Sequence, residues 1–261
     1  MTEQVIKSKD NQYVKLARGL KAGKQRAEHG LFLAEGINNI REALASDIEP
    51  SFMLYDPLRA DDTRIAALIA AAQKKGCRAL AVHGRLLAEA ADTENNQGLV
   101  LALRLPGTSA DAFAAKACGR HIAVLDGLQD PGNVGTILRT AWAAGLGGAL
   151  LVNNSADPYA PKVVRAAMGA VYHLPVAVLP NAEAAALLKR LGLCLAVADA
   201  GGEDFRRFRP GKRVAWLLGR ESTGPSAYFR NLADKTVAIP MAAGVDSLNV
   251  AVAAGILFFS Q

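Results

Sequence analysis

From Ile122 onward, short runs of aliphatic and β-branched residues alternate with longer stretches at helical spacing. No other feature constrains the fold as much. Apolar strands are expected at Ile122–Leu125, Ala149–Val152, Leu193–Val197, Val214–Leu218 and Thr236–Ile239, with helices in the gaps and a last helix from about Ser247 to Phe259. Strands that alternate with helices pair in parallel, and helices then cover both faces of the sheet. In the last helix, Leu248, Val252, Gly255, Ile256 and Phe259 fall on one face.

The earlier part of the chain repeats this texture on a smaller scale. Strands are expected at Leu31–Glu35, Ser51–Tyr55, Arg78–Val82 and Gly98–Leu103, and Ile37, Ile40 and Leu44 mark one helix face. Between the two parts, the stretch LPGTSADA from Leu105 gathers Pro, Gly, Thr and Ser and reads as a linker. The expected organisation is an α/β domain over 1–105, a linker over 106–118 and a second α/β domain with a parallel sheet over 119–261. A chain of 261 residues has room for both.

At 51% hydrophobic and 21% charged residues, the composition excludes a disordered, collagen-like or coiled-coil chain. Net charge is +6. Much of it sits in the first thirty residues, where Lys7, Lys9, Lys15, Arg18, Lys21, Lys24 and Arg26 face only Glu3, Asp10 and Glu28. This arm reads either as a solvated helix face or as a phosphate-contacting surface. Cys77, Cys118 and Cys194 are odd in number and widely spaced, which fits neither a disulfide framework nor a zinc site and suits a reducing cytoplasm. His29, His83, His121 and His173 lack metal-ligand spacing. The start, MTEQVIKSKD, is too polar for a signal peptide, and the apolar run Val250–Phe259 is too short to span a bilayer.

Three stretches could carry chemistry, each a strand running into a loop. In HIAVLDGLQDPGNVGTILRTAWAAG, His121 to Gly145, the helix would bury Val134, Ile137, Leu138, Ala141 and Trp142, with Asn133 as its N-cap. The glycines read as a tight turn, since the spacing matches neither a dinucleotide fingerprint nor a P-loop. Arg139, on the polar face, is a natural phosphate ligand. In VAWLLGRESTGPS, Val214 to Ser226, the strand ends at Gly219, Arg220 and Glu221. Ligands of parallel sheets bind beyond the strands' carboxyl ends, and a glycine there admits them close to the backbone. Glu221 can equally be a helix-start carboxylate or a surface ion-pair partner. In VAIPMAAGVDSLNVAVAAG, Val237 to Gly255, Asp246 or Ser247 can cap the last helix.

Taken together these stretches resemble the three motifs of the SpoU/TrmH family of RNA 2′-O-ribose methyltransferases, in the SPOUT superfamily. Asn133, Gly135 and Arg139 match the first motif, Gly219, Glu221 and Gly224 the second, and Ile239, Pro240, Met241, Ser247, Leu248 and Asn249 the third. The segment PYAPKVVRAAMGA resembles a further family stretch through Pro161, Lys162, Arg165 and Gly169. The N-terminal part, with LFLAEGINNIREAL, looks like the family's substrate-binding domain. Ala167, Arg220 and Pro225 depart from the commoner family residues.

The resemblance implies a SPOUT domain with a C-terminal trefoil knot and a homodimer built partly on the final helix, Phe258 and Phe259 included. It implies S-adenosylmethionine as methyl donor, bound by Leu218, Gly219, Ile239, Met241, Ser247 and Leu248, with Gly219 leaving room for the adenosine. Arg139, Asn133, Glu221, Ser247 and Asn249 would form the catalytic set, Glu221 orienting Arg139 or the substrate. Lys21, Lys24, Arg26 and Arg165 would contact RNA, ribosomal RNA being favoured. A transfer RNA methyltransferase, a SPOUT enzyme acting on a base nitrogen and a non-catalytic RNA-binding protein are the alternatives. No metal or membrane is implied.

Overall fold

The computed structural model describes residues 5–93, 96–107 and 109–260. In chain order, its elements begin with α1 (Gln12–Gly19), α2 (Gly23–His29), β1 (Leu31–Glu35), α3 (Ile37–Ala45), β2 (Pro50–Tyr55), α4 (Thr63–Lys74), β3 (Arg78–Ala81), α5 (Gly84–Ala90) and β4 (Leu99–Arg104). There follow α6 (Ala110–Ala117), β5 (Ile122–Asp126), α7 (Pro131–Ala143), β6 (Ala149–Val152), α8 (Pro161–Ala166), α9 (Ala170–His173), β7 (Val176–Val178) and α10 (Asn181–Arg190). The chain closes with β8 (Cys194–Asp204), β9 (Val214–Leu218), α11 (Ala227–Arg230), β10 (Lys235–Ala238) and α12 (Val250–Phe258).

The chain forms two compact units. One comprises Met1–Pro106 with Tyr159–Tyr172, and the other Gly107–Pro158 with His173–Gln261. This differs from the expected division in two ways. The linker expected at 106–118 contains α6, whose Phe113 is buried in the second unit's core, although Thr108 lies outside the described residues. The stretch Tyr159–Tyr172, expected in the C-terminal domain, packs instead with the first unit. Local composition around Leu105 cannot register that Phe113 has a core to enter.

The first unit carries a four-stranded sheet in the order β1-β4-β2-β3, in which only β2 and β3 run parallel. Leu31 and Leu33 join α1 and α5 in a core that also contains Phe52, Leu54 and Leu87. Side chains alternate across a strand, so Phe32 takes the opposite face. There its ring lies 4.9 Å from Tyr159 and 6.2 Å from Tyr172, centroid to centroid. The Tyr172 hydroxyl donates to buried Asn39 at 2.9 Å, and burial raises the affinity of this phenol for its proton. The 159–172 segment thus covers a sheet face that would otherwise expose Phe32.

The second unit is a six-stranded sheet in the order β10-β8-β9-β5-β6-β7, with every pair parallel. From β5 the chain winds one way through β6 and β7, then crosses to place β8 and β9 on the other side. The junction of β5 and β9 is therefore the topological switch point, where loops leaving the two strands diverge and open a crevice. β7 was not expected: three residues are too few for a periodic signal. β8 continues to Asp204 through the strand-averse run ADAGGED. Its pairing with β10 jumps from Val197 opposite Thr236 to Glu203 opposite Val237, so the intervening residues of β8 loop out.

Both helix starts near the motif loops differ from expectation. α7 begins at Pro131, and Asp130 rather than Asn133 is its N-cap, accepting from the Asn133 backbone N–H at 2.7 Å. Proline suits the first helical position because no partner for its nitrogen is needed there. α12 starts at Val250, not Ser247. Asn249 caps it, its Oδ1 accepting from the N–H groups of Ala251 and Val252, so neither Asp246 nor Ser247 serves. The face of α12 buried within the chain is not the one that carries Val252 and Phe259. Val250, Ala251, Ala254, Leu257 and Phe258 are buried, whereas Val252 is 53% and Phe259 64% exposed. The helix is apolar all round, so periodicity alone does not select a face.

Candidate functional site

The loop after β5 and the loop after β9 meet beyond the carboxyl ends of their strands and are joined at several points. Asp126, the last residue of β5 and 1% exposed, accepts from the Ser226 backbone N–H at 2.7 Å. Its other oxygen accepts from the Asn153 amide at 3.2 Å. The Asn133 side chain donates to Glu221 Oε1 at 2.7 Å. The β9 loop closes on itself through paired backbone bonds between Arg220 and Gly224, at 3.1 and 2.8 Å.

The loop before α12 joins the same cluster. Asn249 Nδ2 donates to Asn133 Oδ1 at 3.0 Å while its own Oδ1 caps the helix. Asn133 is thus a hub, its amide nitrogen on Glu221 and its oxygen on Asn249. Each of the three residues comes from a different strand–loop junction. Glu221 is not paired with Arg139. Among the described residues, the exposed Arg139 side chain makes no hydrogen bond or ion pair.

Next to this cluster lies a cleft lined by Leu218, Gly219, Arg220, Glu221, Gly224 and Pro225 from the β9 loop, and by Val237, Ile239, Met241, Asp246, Ser247, Leu248, Val250 and Ala253 from β10 to α12. Ala198, Asp199 and Ala200, from the looped-out part of β8, complete it. All six residues expected to hold the cofactor lie along this one cleft, and Arg139 is not part of its lining. Its walls are mainly aliphatic, which suits a flat aromatic ring. Glu221 and Asp199 bring negative charge, Asp199 being paired with Arg230 at 3.1 Å. An adenosine carrying a cationic sulfonium fits such a donor set.

Gly219 has a structural role beyond the one expected. A Cβ there would lie 2.1 Å from the Pro225 nitrogen and 2.3 Å from the Gly224 carbonyl carbon. The missing side chain makes room for the chain's own returning loop. Gly202 is similar: its Cβ would lie 2.5 Å from the Thr236 and Val237 backbone, where β8 rejoins β10.

Of the residues expected to contact RNA, Arg26 is excluded. It is 4% exposed, and its guanidinium donates to the carbonyls of Leu20 at 2.9 Å and Lys21 at 2.8 Å, closing the end of α1. Lys21 is exposed, with its ammonium on the Glu89 carbonyl at 2.8 Å, and Lys24 is exposed. Arg165 is ion-paired with Asp92. Sequence reasoning missed Asp126, Asp130 and Asp199. A carboxylate ending a fully apolar strand was the available signal for Asp126. Asp199 lies in a glycine-rich run with no local pattern.

Residues 120–259 match the model of the SpoU rRNA Methylase family. The chain belongs to that family. Residues 11–101 also match the MRM3-like substrate binding domain. The chain is 30% identical over 255 residues to the 23S rRNA (guanosine(2553)-2′-O)-methyltransferase RlmP of Bacillus subtilis, covering 97% of each chain. Among solved structures, an AdoMet-bound rRNA methyltransferase from Sinorhizobium meliloti aligns with a TM-score of 0.87 at 29% identity, over 98% of this chain and 96% of the other. The SpoU methyltransferase AviRb from Streptomyces viridochromogenes, in complex with AdoMet, aligns with a TM-score of 0.87 at 26% identity, over 96% of each chain.

Proposed function

We propose that the protein transfers a methyl group from S-adenosylmethionine to a ribose 2′-hydroxyl of ribosomal RNA. The observation that carries this reading is the hydrogen-bonded series Glu221–Asn133–Asn249, which ties three motif loops together beside an apolar cleft. S-adenosylmethionine supplies an electrophilic methyl on a sulfonium. The chain's task is to hold that methyl in line with the attacking oxygen, and such positioning is worth about 7–11 kcal/mol.

Leu218, Ile239, Met241 and Leu248 give the adenosine apolar walls, with Gly219 and Ser247 beside them. Asn133, Glu221 and Asn249 brace the loops on the substrate side. Arg139 acts from outside the cleft, binding a phosphate and hydrogen-bonding the hydroxyl oxygen. It stays protonated, because a guanidinium does not give up its proton in proteins. The proton that the 2′-hydroxyl loses on methylation therefore passes to an oxygen of the bound phosphate and on to water, while the sulfonium leaves as the neutral thioether. Ser247 stands at the cleft edge, where its hydroxyl can meet the ribose.

The remaining assignments form part of the same proposal. The first unit binds RNA through a basic N-terminal arm in which Lys21 and Lys24 are exposed, and the second unit forms the methyl-transfer domain with its trefoil knot. The enzyme works as a homodimer through the uncovered face at α12, where Val252 and, at the helix end, Phe259 are exposed. Phe258 is buried within its own chain and is not part of that face. Among the described residues no helix is long and apolar enough to cross a membrane, and Cys77, Cys118 and Cys194 are free thiols, in keeping with the cytoplasm.

The test is to incubate total RNA from a strain lacking the protein with enzyme and methyl-labelled S-adenosylmethionine. After digestion, label on the ribose of one rRNA nucleotide is the expected result. Label on a base, on transfer RNA, or on no RNA would each overturn the proposal.

A further inference from the structure

We infer that Arg220, a residue that departs from the common pattern of the second motif, grips a phosphate of the substrate RNA. This rests on the proposed function and adds a specificity-determining contact to it. The Arg220 backbone is pinned by its two bonds to Gly224, so the side chain leaves from a fixed point. Arg220 contributes to the lining of the cofactor cleft, and its side chain reaches beyond that lining. It runs across Gly127 on the β5 loop, which is not part of the cleft lining. A Cβ on Gly127 would lie 2.6 Å from Arg220 Nε and 3.4 Å from Cζ. Gly127 has φ +74°, a conformation in which side chains are rare, so the bare position suits its backbone and seats the arginine at once.

The charge around Arg220 is uncompensated. Three carboxylates sit on the two facing loops, and each is engaged elsewhere. Asp126 holds Asn153 and Ser226, Asp130 caps α7 through the Asn133 N–H, and Glu221 accepts from Asn133. Among the described residues, the exposed Arg220 guanidinium has no hydrogen-bond or ion-pair partner. A planar fork held over a glycine, in front of loops whose anions are occupied, is built for an external oxyanion, and a phosphate matches it with two parallel hydrogen bonds. Arg220 is the sequence neighbour of Glu221, which Asn133 holds, so a phosphate gripped there lies beside the motif-loop cluster.

The test compares wild type with Arg220→Ala, Arg220→Lys and Arg220→Glu in the full chain. Steady-state methylation of rRNA from the lacking strain gives KM and kcat, filter binding gives the salt dependence of RNA affinity, and calorimetry gives S-adenosylmethionine affinity. For Arg220→Ala, KM for RNA should rise about ten- to hundredfold, and the slope of log affinity against log salt should fall by about one. S-adenosylmethionine affinity should change far less than KM for RNA, since the guanidinium lies over Gly127, outside the cleft lining. Arg220→Lys should keep the slope but recover KM only partly, and Arg220→Glu should be worse than Ala. An unchanged KM and slope would overturn the inference. So would a loss confined to S-adenosylmethionine affinity, which would make the oxyanion the cofactor's own carboxylate. A wild-type enzyme that leaves rRNA ribose unlabelled would instead sink the underlying function.

Discussion

Asn133 donates to Glu221 at 2.7 Å across 88 residues of sequence. With the bond from Asn249, this makes one side chain the tie between three loops. Asn133→Ala leaves Glu221 and Asn249 without that partner at a partly exposed site. It should cost about 1 kcal/mol of stability and slow single-turnover methyl transfer by about 10- to 100-fold. A double-mutant cycle with Glu221→Gln should show coupling of at least about 0.5 kcal/mol. Additive effects would mean that the two residues act separately.

Gly219→Ala tests the role that geometry assigns to this glycine. A Cβ 2.1 Å from the Pro225 nitrogen forces the β9 loop to move. The variant should lose about 1–3 kcal/mol in thermal or denaturant unfolding and bind S-adenosylmethionine at least about tenfold more weakly, both losses from one displaced loop. Weakened binding with unchanged stability would restore the simpler view that Gly219 only clears space for the ligand.

Arg139→Ala should behave in the opposite way. The side chain is exposed and unpartnered among the described residues, so stability should stay within about 0.5 kcal/mol. S-adenosylmethionine affinity should also hold. Methyl transfer should fall by orders of magnitude, and Arg139→Lys should rescue poorly because an ammonium lacks the planar fork. Single-turnover rates at saturating cofactor are the measurement, and a near-wild-type Ala variant would remove Arg139 from the mechanism.

The N-terminal cations should separate into two groups. Arg26→Ala leaves the Leu20 and Lys21 carbonyls without their donor and should destabilise the first unit by about 1–3 kcal/mol, read from denaturant unfolding. The double variant Lys21→Ala/Lys24→Ala should unfold like wild type but bind rRNA with a salt slope lower by about one to two. An unchanged slope would return these lysines to a solvated helix face.

His121 should give the fold a pH dependence. Its Nδ1 accepts from the Val214 N–H at 3.0 Å, and burial, reinforced by Arg213, lowers its proton affinity below the usual 6.5. The unfolded chain therefore binds the proton more readily. The stabilisation is complete above pH 6.5 and is lost as pH falls through the lower folded value. His121→Asn keeps an acceptor but does not titrate. Between pH 7.5 and 5.5 the wild type should lose more melting temperature than this variant, and parallel curves would contradict the assignment.

Local pattern determined much of this protein. The strands Ala149–Val152 and Val214–Leu218 are legible to the residue, because a strand buried on both faces needs an unbroken apolar run. The glycine-bearing loops that follow β5 and β9 are equally visible, since turn residues punctuate such runs. What the tertiary structure decided depends on partners far away in sequence. Whether Arg26 reaches RNA or closes α1 is set by the carbonyls it meets, not by the charge of its neighbours. Which face of α12 is buried is set by packing against α7, because an all-apolar helix has no preferred side. Glu221 is held by Asn133 rather than by a cation, and Gly219 serves the Gly224–Pro225 backbone, because both relations arise only when the loops are folded against one another. Periodicity reports how a segment meets a core, whereas hydrogen-bond partners and close backbone approaches exist only in three dimensions.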